Sequence, residues 1–387
     1  MQTKQTTTQE VWLNLGAVML ALVVVHILGR FIFTPLMPYF IDDGLFTLAQ
    51  STDLASINYL GYLIGALLAV FFATPTLIKK LLLANIILNV ISTVLQYFSA
   101  DFVVMMGLRL VNGISNGTVF VLAPALMLEW LHARGRAHLS GLMYFGVSAG
   151  LLASGVLASS TAELFHGSGR WLPVAVLACV LGSYAVYRLA KVEVNLPTPK
   201  NSDTAPPLFD RQSTLLFLAY LGAGLGYILP MTFLPTLAFS LNAHEPLNAH
   251  LWTLVAVACL VTTPLWNKLG AMIGDKRAII LSYVVQALGV GILLLVPNIW
   301  GLIACALGVG GGFLGSVMCT QRYARALQPS QGVKLSAVLI TIYAGAQLVA
   351  PLLAKWLMSM GASLLLTFVV GLVAFVWSLV MMVLIKD

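Results

Sequence analysis

Apolar runs recur along the chain about once every 32 residues (387 divided by 12), parted by short polar breaks. A membrane-crossing helix needs roughly 20 mostly apolar residues. The pattern predicts twelve spans, over 12–40, 52–75, 81–98, 102–127, 139–161, 170–190, 213–239, 251–268, 278–297, 299–321, 335–357 and 362–385. Helices are the expected form, because lipid offers no partner to free backbone N–H and C=O groups. The longest polar break, 191–212, is rich in proline and charge and reads as a linker between equal halves. The expected organisation is therefore a six-helix bundle over 1–190, a cytoplasmic linker over 191–212 and a second six-helix bundle over 213–387.

The halves repeat at a shift of about 197 residues. Gly29-Arg30 with Thr34 and Pro38 meets Gly226-Tyr227 with Thr232 and Pro235. Ile78-Lys79-Lys80 meets Asp275-Lys276-Arg277, Gly113 and Gly117 meet Gly311 and Gly315, and Leu139-Ser140 meets Leu335-Ser336. Four matches in one order argue for duplication. Two parallel repeats of six spans imply an axis along the membrane normal and a site between the bundles.

Composition narrows the class. Hydrophobic residues make up 60% and charged ones 9%, against about a quarter charged in soluble domains. The mean hydropathy is +0.96, which excludes a soluble enzyme. The net charge of +7 is explained by topology, not by nucleic acid. Sixteen of the 20 lysines and arginines fall in loops on the side of the termini, and only Arg170 and Lys355 fall opposite. That bias predicts both termini in the cytoplasm. No phosphate-binding GxxxxGK[ST] loop, metal-ligand cluster or catalytic set is found, so neither cofactor nor metal is expected, and no enzyme activity.

Two arginines remain, Arg30 and Arg109, both inside spans. An arginine at a helix centre costs roughly 2.5–3.5 kcal/mol on insertion scales, so such residues usually face a bundle interior and serve function. At 1.5 Å per residue, Arg30 lies about 12 Å and Arg109 about 10 Å from the outer ends of their spans. No carboxylate in the sequence obviously sits at that depth. An anionic small molecule would complete a positive cavity, since guanidinium grips carboxylate or phosphate through paired hydrogen bonds. Asn112 and Asn116 share a face with Arg109, at i+3 and i+7, and are expected to line the cavity. Asn58, Tyr62 and Tyr144 are further candidates in the first half, and Tyr227, Thr232, Tyr343 and Gln347 in the second. His26, four residues before Arg30, and Asp53 are candidates for proton coupling.

Several motifs resemble the major facilitator superfamily. Arg109-Leu-Val-Asn-Gly113-Ile-Ser-Asn-Gly117 is similar to its RxxxGxxxG signature, and that resemblance implies a structural alternative for Arg109, holding helices together through backbone carbonyls. Glu129, Arg134 and Arg136 resemble its loop after span four, and Gly270 to Arg277 is similar to its cytoplasmic loop signature. The resemblance implies an all-α membrane protein, twelve transmembrane helices in two pseudo-symmetric six-helix bundles, with Asp275, Lys276, Arg277, Glu129, Arg134 and Arg136 as a cytoplasmic gate. The corresponding first-half loop, Thr76 to Lys80, lacks the glycine and aspartate, and span five lacks the Gly-Pro pair of drug–proton antiporters. More narrowly, Gly29-Arg30-Phe31 with Thr34-Pro35-Leu36 and Pro38 resembles the YbfB/YjiJ branch. The expected function is secondary transport of a small organic anion across a bacterial inner membrane by alternating access, as proton symport or exchange. The lipid bilayer is the surrounding partner, and a monomer is expected. Efflux of drugs or amphipathic metabolites, and a ligand-binding sensor without flux, are the alternatives.

Overall fold

A computed structural model describes residues 8–72, 77–192, 209–241, 246–328 and 332–386. Among these, twelve long helices follow the predicted spans: α1 (Thr8–Asp42), α2 (Leu48–Phe72), α3 (Ile78–Leu95), α4 (Phe102–His132), α5 (Phe145–Thr161), α6 (Trp171–Ala190), α7 (Arg211–Leu241), α8 (Leu251–Ile273), α9 (Asp275–Leu295), α10 (Ile299–Leu327), α11 (Gly332–Ser359) and α12 (Leu364–Leu384). Eleven are long and apolar enough to cross a membrane by composition alone. The twelfth, α2, is 25 residues long and carries its polar residues, Gln50, Ser51, Thr52, Asp53, Ser56 and Asn58, in its first half, with an apolar run after them. Most of the expected linker lies outside the described residues, as does Thr76.

An even number of crossings puts both ends of the chain on one face, here called the terminal face. Several helices run past the predicted ends there. α4 continues to His132, α8 to Ile273 and α10 to Leu327, because a helix keeps satisfying its backbone after it leaves the hydrocarbon.

The bundles repeat in packing as well as in sequence. The pairs α1–α6, α2–α4, α3–α4 and α3–α6 recur as α7–α12, α8–α10, α9–α10 and α9–α12. One polar contact repeats too. Lys79 Nζ donates to the Val192 carbonyl at 2.8 Å, and Lys276 Nζ to the Ile385 carbonyl at 2.7 Å. Each lysine satisfies a carbonyl just past the last helix of its own bundle, a favourable place for a cation.

Small residues set the helix spacing. A Cβ on Gly61 or Gly65 would collide with the carbonyls of Leu110 or Ile114, and one on Gly113 or Gly117 with those of Asn58 or Tyr62. Glycines on both helices therefore let α2 and α4 approach backbone to backbone.

The bundles meet along α1–α7, α2–α11 and α5–α8. On α1 the contact with α7 is made by the far third, Phe33–Asp42. Thr34 Oγ1 donates to the Met231 carbonyl at 2.9 Å, Trp252 Nε1 to Ser154 Oγ at 3.0 Å, and Tyr39 meets Phe239 edge-on. Asp53 pairs with Lys355 at 2.6 Å across the far ends of α2 and α11. These contacts hold the bundles together from mid-membrane to the far face.

A clasp on that face lies within the first bundle. Arg170 is buried and forks onto Asp43 at 2.6 and 2.8 Å, and the Gly167 N–H donates to Asp43 at 2.7 Å. Burial alone would raise the Asp43 pKa, but the bonds from Arg170, Gly167 and His166 outweigh it and hold the carboxyl below its ordinary range.

Gly65→Val tests the packing. It should lower stability in detergent by about 1–3 kcal/mol, while Gly107→Ala, where a Cβ meets nothing within 4 Å, should be close to neutral. Equal thermal unfolding of both variants would refute the close approach.

Candidate functional site

Halfway through the membrane, α1 widens. Residues Val23–Phe31 form a π-helical stretch, all nine of them buried, closed by an i→i+5 bond from Ile32 N to the Ile27 carbonyl at 2.8 Å. Such bulges are rare and concentrate at functional sites. This one carries both His26 and Arg30. The break precedes Pro35 and Pro38, whereas α7 runs unbroken through Pro230 and Pro235. Proline spacing therefore locates the irregular part of α1 only approximately.

Arg30 is 2% exposed. Its guanidinium lies over three aromatic rings, 4.5 Å from the Tyr62 centroid, 4.6 Å from Tyr59 and 5.1 Å from Phe31. Cation–π attraction offsets part of the lost hydration. Nη2 donates to Gln347 Oε1 on α11, and Gln347 Nε2 donates to the Tyr227 hydroxyl at 2.6 Å. Nε and Nη1 have no partner among the described residues. The charge is thus packed and partly bonded, with donors to spare and no carboxylate against it.

Arg109 is occupied differently. Nη1 donates to the Gly29 carbonyl at 2.9 Å, Nε to the Leu54 carbonyl at 3.4 Å, and the guanidinium lies 4.6 Å from the Phe33 centroid. It links α1, α2 and α4 through backbone acceptors, one of them inside the widened stretch. Asn58 Nδ2 returns a bond to the Arg109 carbonyl at 3.0 Å. Gly29 leaves room for two amides here, since a Cβ would fall 2.6 Å from Asn89 Oδ1 and 2.7 Å from Asn112 Oδ1.

The asparagines are divided between two tasks. Asn112 Nδ2 donates to Ser92 Oγ at 3.1 Å and Thr93 Oγ1 at 2.9 Å, and Asn89 Nδ2 donates to the Asn112 carbonyl and Ser115 Oγ. These amides join α3 to α4. Asn116 faces the site, its Oδ1 3.0 Å from His26 Nδ1. The imidazole stacks on Phe120 at 4.3 Å and meets Phe31 edge-on at 5.0 Å. With Nδ1–H donating to Asn116, the neutral ring carries its free lone pair on Nε2.

Across the interface, Tyr227 stacks between Phe313 at 4.9 Å and Tyr343 at 5.0 Å, and Tyr343 stacks on Tyr220 at 4.4 Å. Thr232 Oγ1 lies 2.7 Å from the Tyr59 hydroxyl, a further bond between the bundles. The structure thus gathers Arg30, Tyr62, Tyr227, Tyr343, Gln347 and Thr232 about one interface. Asp53 stands apart, ion-paired at the far face. Tyr144 lies at the terminal-face start of α5, within electrostatic range of both Tyr62 and Arg325.

At that face Asp275 accepts from Arg322 Nε at 3.0 Å and Nη2 at 2.6 Å, and Arg322 also bonds Asn267. Arg134 covers the Trp130 ring at 4.0 Å and donates to the Trp130 carbonyl at 3.1 Å. Arg136 and Arg277 are exposed, and the Glu129 side chain lies outside the described residues.

Sequence reasoning missed Tyr59, Lys355 and Arg322. Tyr59 stands three residues before Tyr62 on one helix face, a signal that was available. The partners of Asp53 and Asp275 lie 302 and 47 residues away, so nothing local announced them.

Comparison with known proteins places this geometry in a family. Residues 17–383 match the family described as "Uncharacterised MFS-type transporter YbfB". A stretch of 119 residues is 29% identical to the multidrug resistance protein MdtG of Dickeya zeae (strain Ech586), spanning 29% of each chain. The fold is similar to that of a mutant of the nucleoside transporter NupG, with a TM-score of 0.71 and 13% identity over 96% of this chain and 98% of that one.

Arg109→Ala should strand the Gly29 and Leu54 carbonyls and destabilise the purified protein by about 1–3 kcal/mol, with Lys a poor replacement because it cannot fork. Unchanged unfolding with lost transport would instead assign Arg109 to cargo.

Proposed function

The chain belongs to the family of MFS-type transporters typified by YbfB, and from that premise we propose that it carries a small organic anion by alternating access. It is a multi-pass membrane protein and not an enzyme. The observation that carries the proposal is Arg30: a buried guanidinium at the bundle interface, two of its nitrogens without a hydrogen-bond partner among the described residues. A desolvated charge with spare donors is a strong attractor for a carboxylate. Arg109 lies close enough to add to the local positive field, although its own donors go to backbone carbonyls. The cargo site comprises Arg30, Tyr62, Tyr227, Thr232, Tyr343 and Gln347.

Loop charge supports an inner-membrane orientation with the terminal face, linker and both chain ends in the cytoplasm. The far-face contacts, Asp53–Lys355 among them, then close the outer side, and Asp275 with Arg322 belongs to the cytoplasmic gate. We expect a monomer, since the cargo site is built from one chain. His26 is the coupling group in this reading. It shares the widened stretch with Arg30, so cargo charge and imidazole protonation act on one element.

A second reading, efflux of amphipathic compounds, is favoured by the MdtG match and by the aromatic lining. Proteoliposome flux separates the two. Benzoate, pyruvate, inorganic phosphate, uridine and ethidium should be tested side by side. Anion flux should fall at least about thirtyfold in Arg30→Gln, the equivalent of losing ~2 kcal/mol. Ethidium flux without anion flux would replace the proposal with efflux. His26→Gln should flatten the pH profile of anion flux, and an unaltered profile would remove the histidine from coupling.

A further inference from the structure

Gln347 hydrogen-bonds both Arg30 of the first bundle and Tyr227 of the second. Arg30 and Tyr227 are mirror positions of the repeat, 197 residues apart. The amide is 2% exposed, so no bulk water competes for its bonds. Its oxygen can satisfy a guanidinium N–H but cannot neutralise the charge, and Nε and Nη1 stay without partners beside it. Gln347 also rides on α11, whose far end is tied to α2 through Lys355 and Asp53.

We infer that Gln347 is the protein's own stand-in for a cargo acceptor. Its amide oxygen holds Arg30 while the site is empty, and a bound carboxylate displaces it. Displacement breaks the hydrogen-bonded path from Arg30 through Gln347 to Tyr227, so occupancy of the first bundle is felt by α7 and α11 of the second. This inference rests on the reading that an anion binds Arg30. A carboxylate exceeds a neutral amide as an acceptor for guanidinium by the added charge, which gives the exchange its direction. The device also sets selectivity, because a neutral cargo competes with Gln347 on equal terms and gains little from Arg30.

Benzoate titration of the full-length protein in nanodiscs tests this, by calorimetry on wild type, Gln347→Ala, Gln347→Glu and Arg30→Gln. A ligand-free readout accompanies it: the distance between spin labels at Thr47 and Met360, exposed residues at the far ends of α2 and α11, in a Cys179→Ser background. Gln347→Ala should bind benzoate at least fivefold tighter and populate longer distances. Gln347→Glu, a tethered carboxylate, should bind at least tenfold weaker and keep the short distance. A purely structural glutamine would lower the unfolding temperature of Gln347→Ala and leave affinity within twofold, which overturns the inference. If Arg30→Gln loses benzoate while both Gln347 variants match wild type, the anion reading stands and the stand-in role falls. If Arg30→Gln binds as wild type does, both fall. Should wild type not bind benzoate, the distance readout decides: an unchanged distribution in Gln347→Ala overturns the inference, and a longer one supports it.

Discussion

A positive charge held in the middle of a membrane protein constrains everything around it. Arg30 must be desolvated without being neutralised by a resident acid, and the surroundings answer that demand piecemeal. Three rings provide cation–π surface, one amide provides an acceptor, and the widened turn of α1 brings His26 and Arg30 onto one buried element. A compensating aspartate would be simpler, and would also remove the net positive charge from the interface. The expense of an incompletely satisfied guanidinium is understandable where a ligand completes the set.

Around that charge the two halves have diverged while keeping their frame. The lysine-to-carbonyl contacts at Val192 and Ile385 and the matching helix pairs show what the repeat retains. The core of the interface shows what it has given up. Where the first half places Arg30, the second places Tyr227, stacked between Phe313 and Tyr343. Charge on one side and stacked rings on the other make a site that can orient an asymmetric molecule, which two identical halves could not do.

The two buried arginines illustrate how position divides the work of one residue type. Arg109 spends its donors on the carbonyls of Gly29 and Leu54 and holds three helices in register. Arg30 keeps donors in reserve. The carbonyl that Arg109 holds belongs to the residue just before Arg30, so the structural arginine braces the backbone that presents the other.

The spans, the duplication and the two buried charges were legible in the sequence, because each is local: a run of apolar residues must be helical in lipid, and a charge within such a run is anomalous wherever it sits. The glycine pairs of α2 and α4 were legible for the same reason, their four-residue spacing putting them on one face. What only the tertiary structure decided was partnership. Gln347 lies 317 residues from Arg30, and Lys355 lies 302 from Asp53. Asn112 and Asn116 share a helix face, yet one turns to α3 and the other to His26. Periodicity states which side of a helix a residue occupies. Which helix arrives opposite, and with which side chain, depends on how the two bundles close on each other.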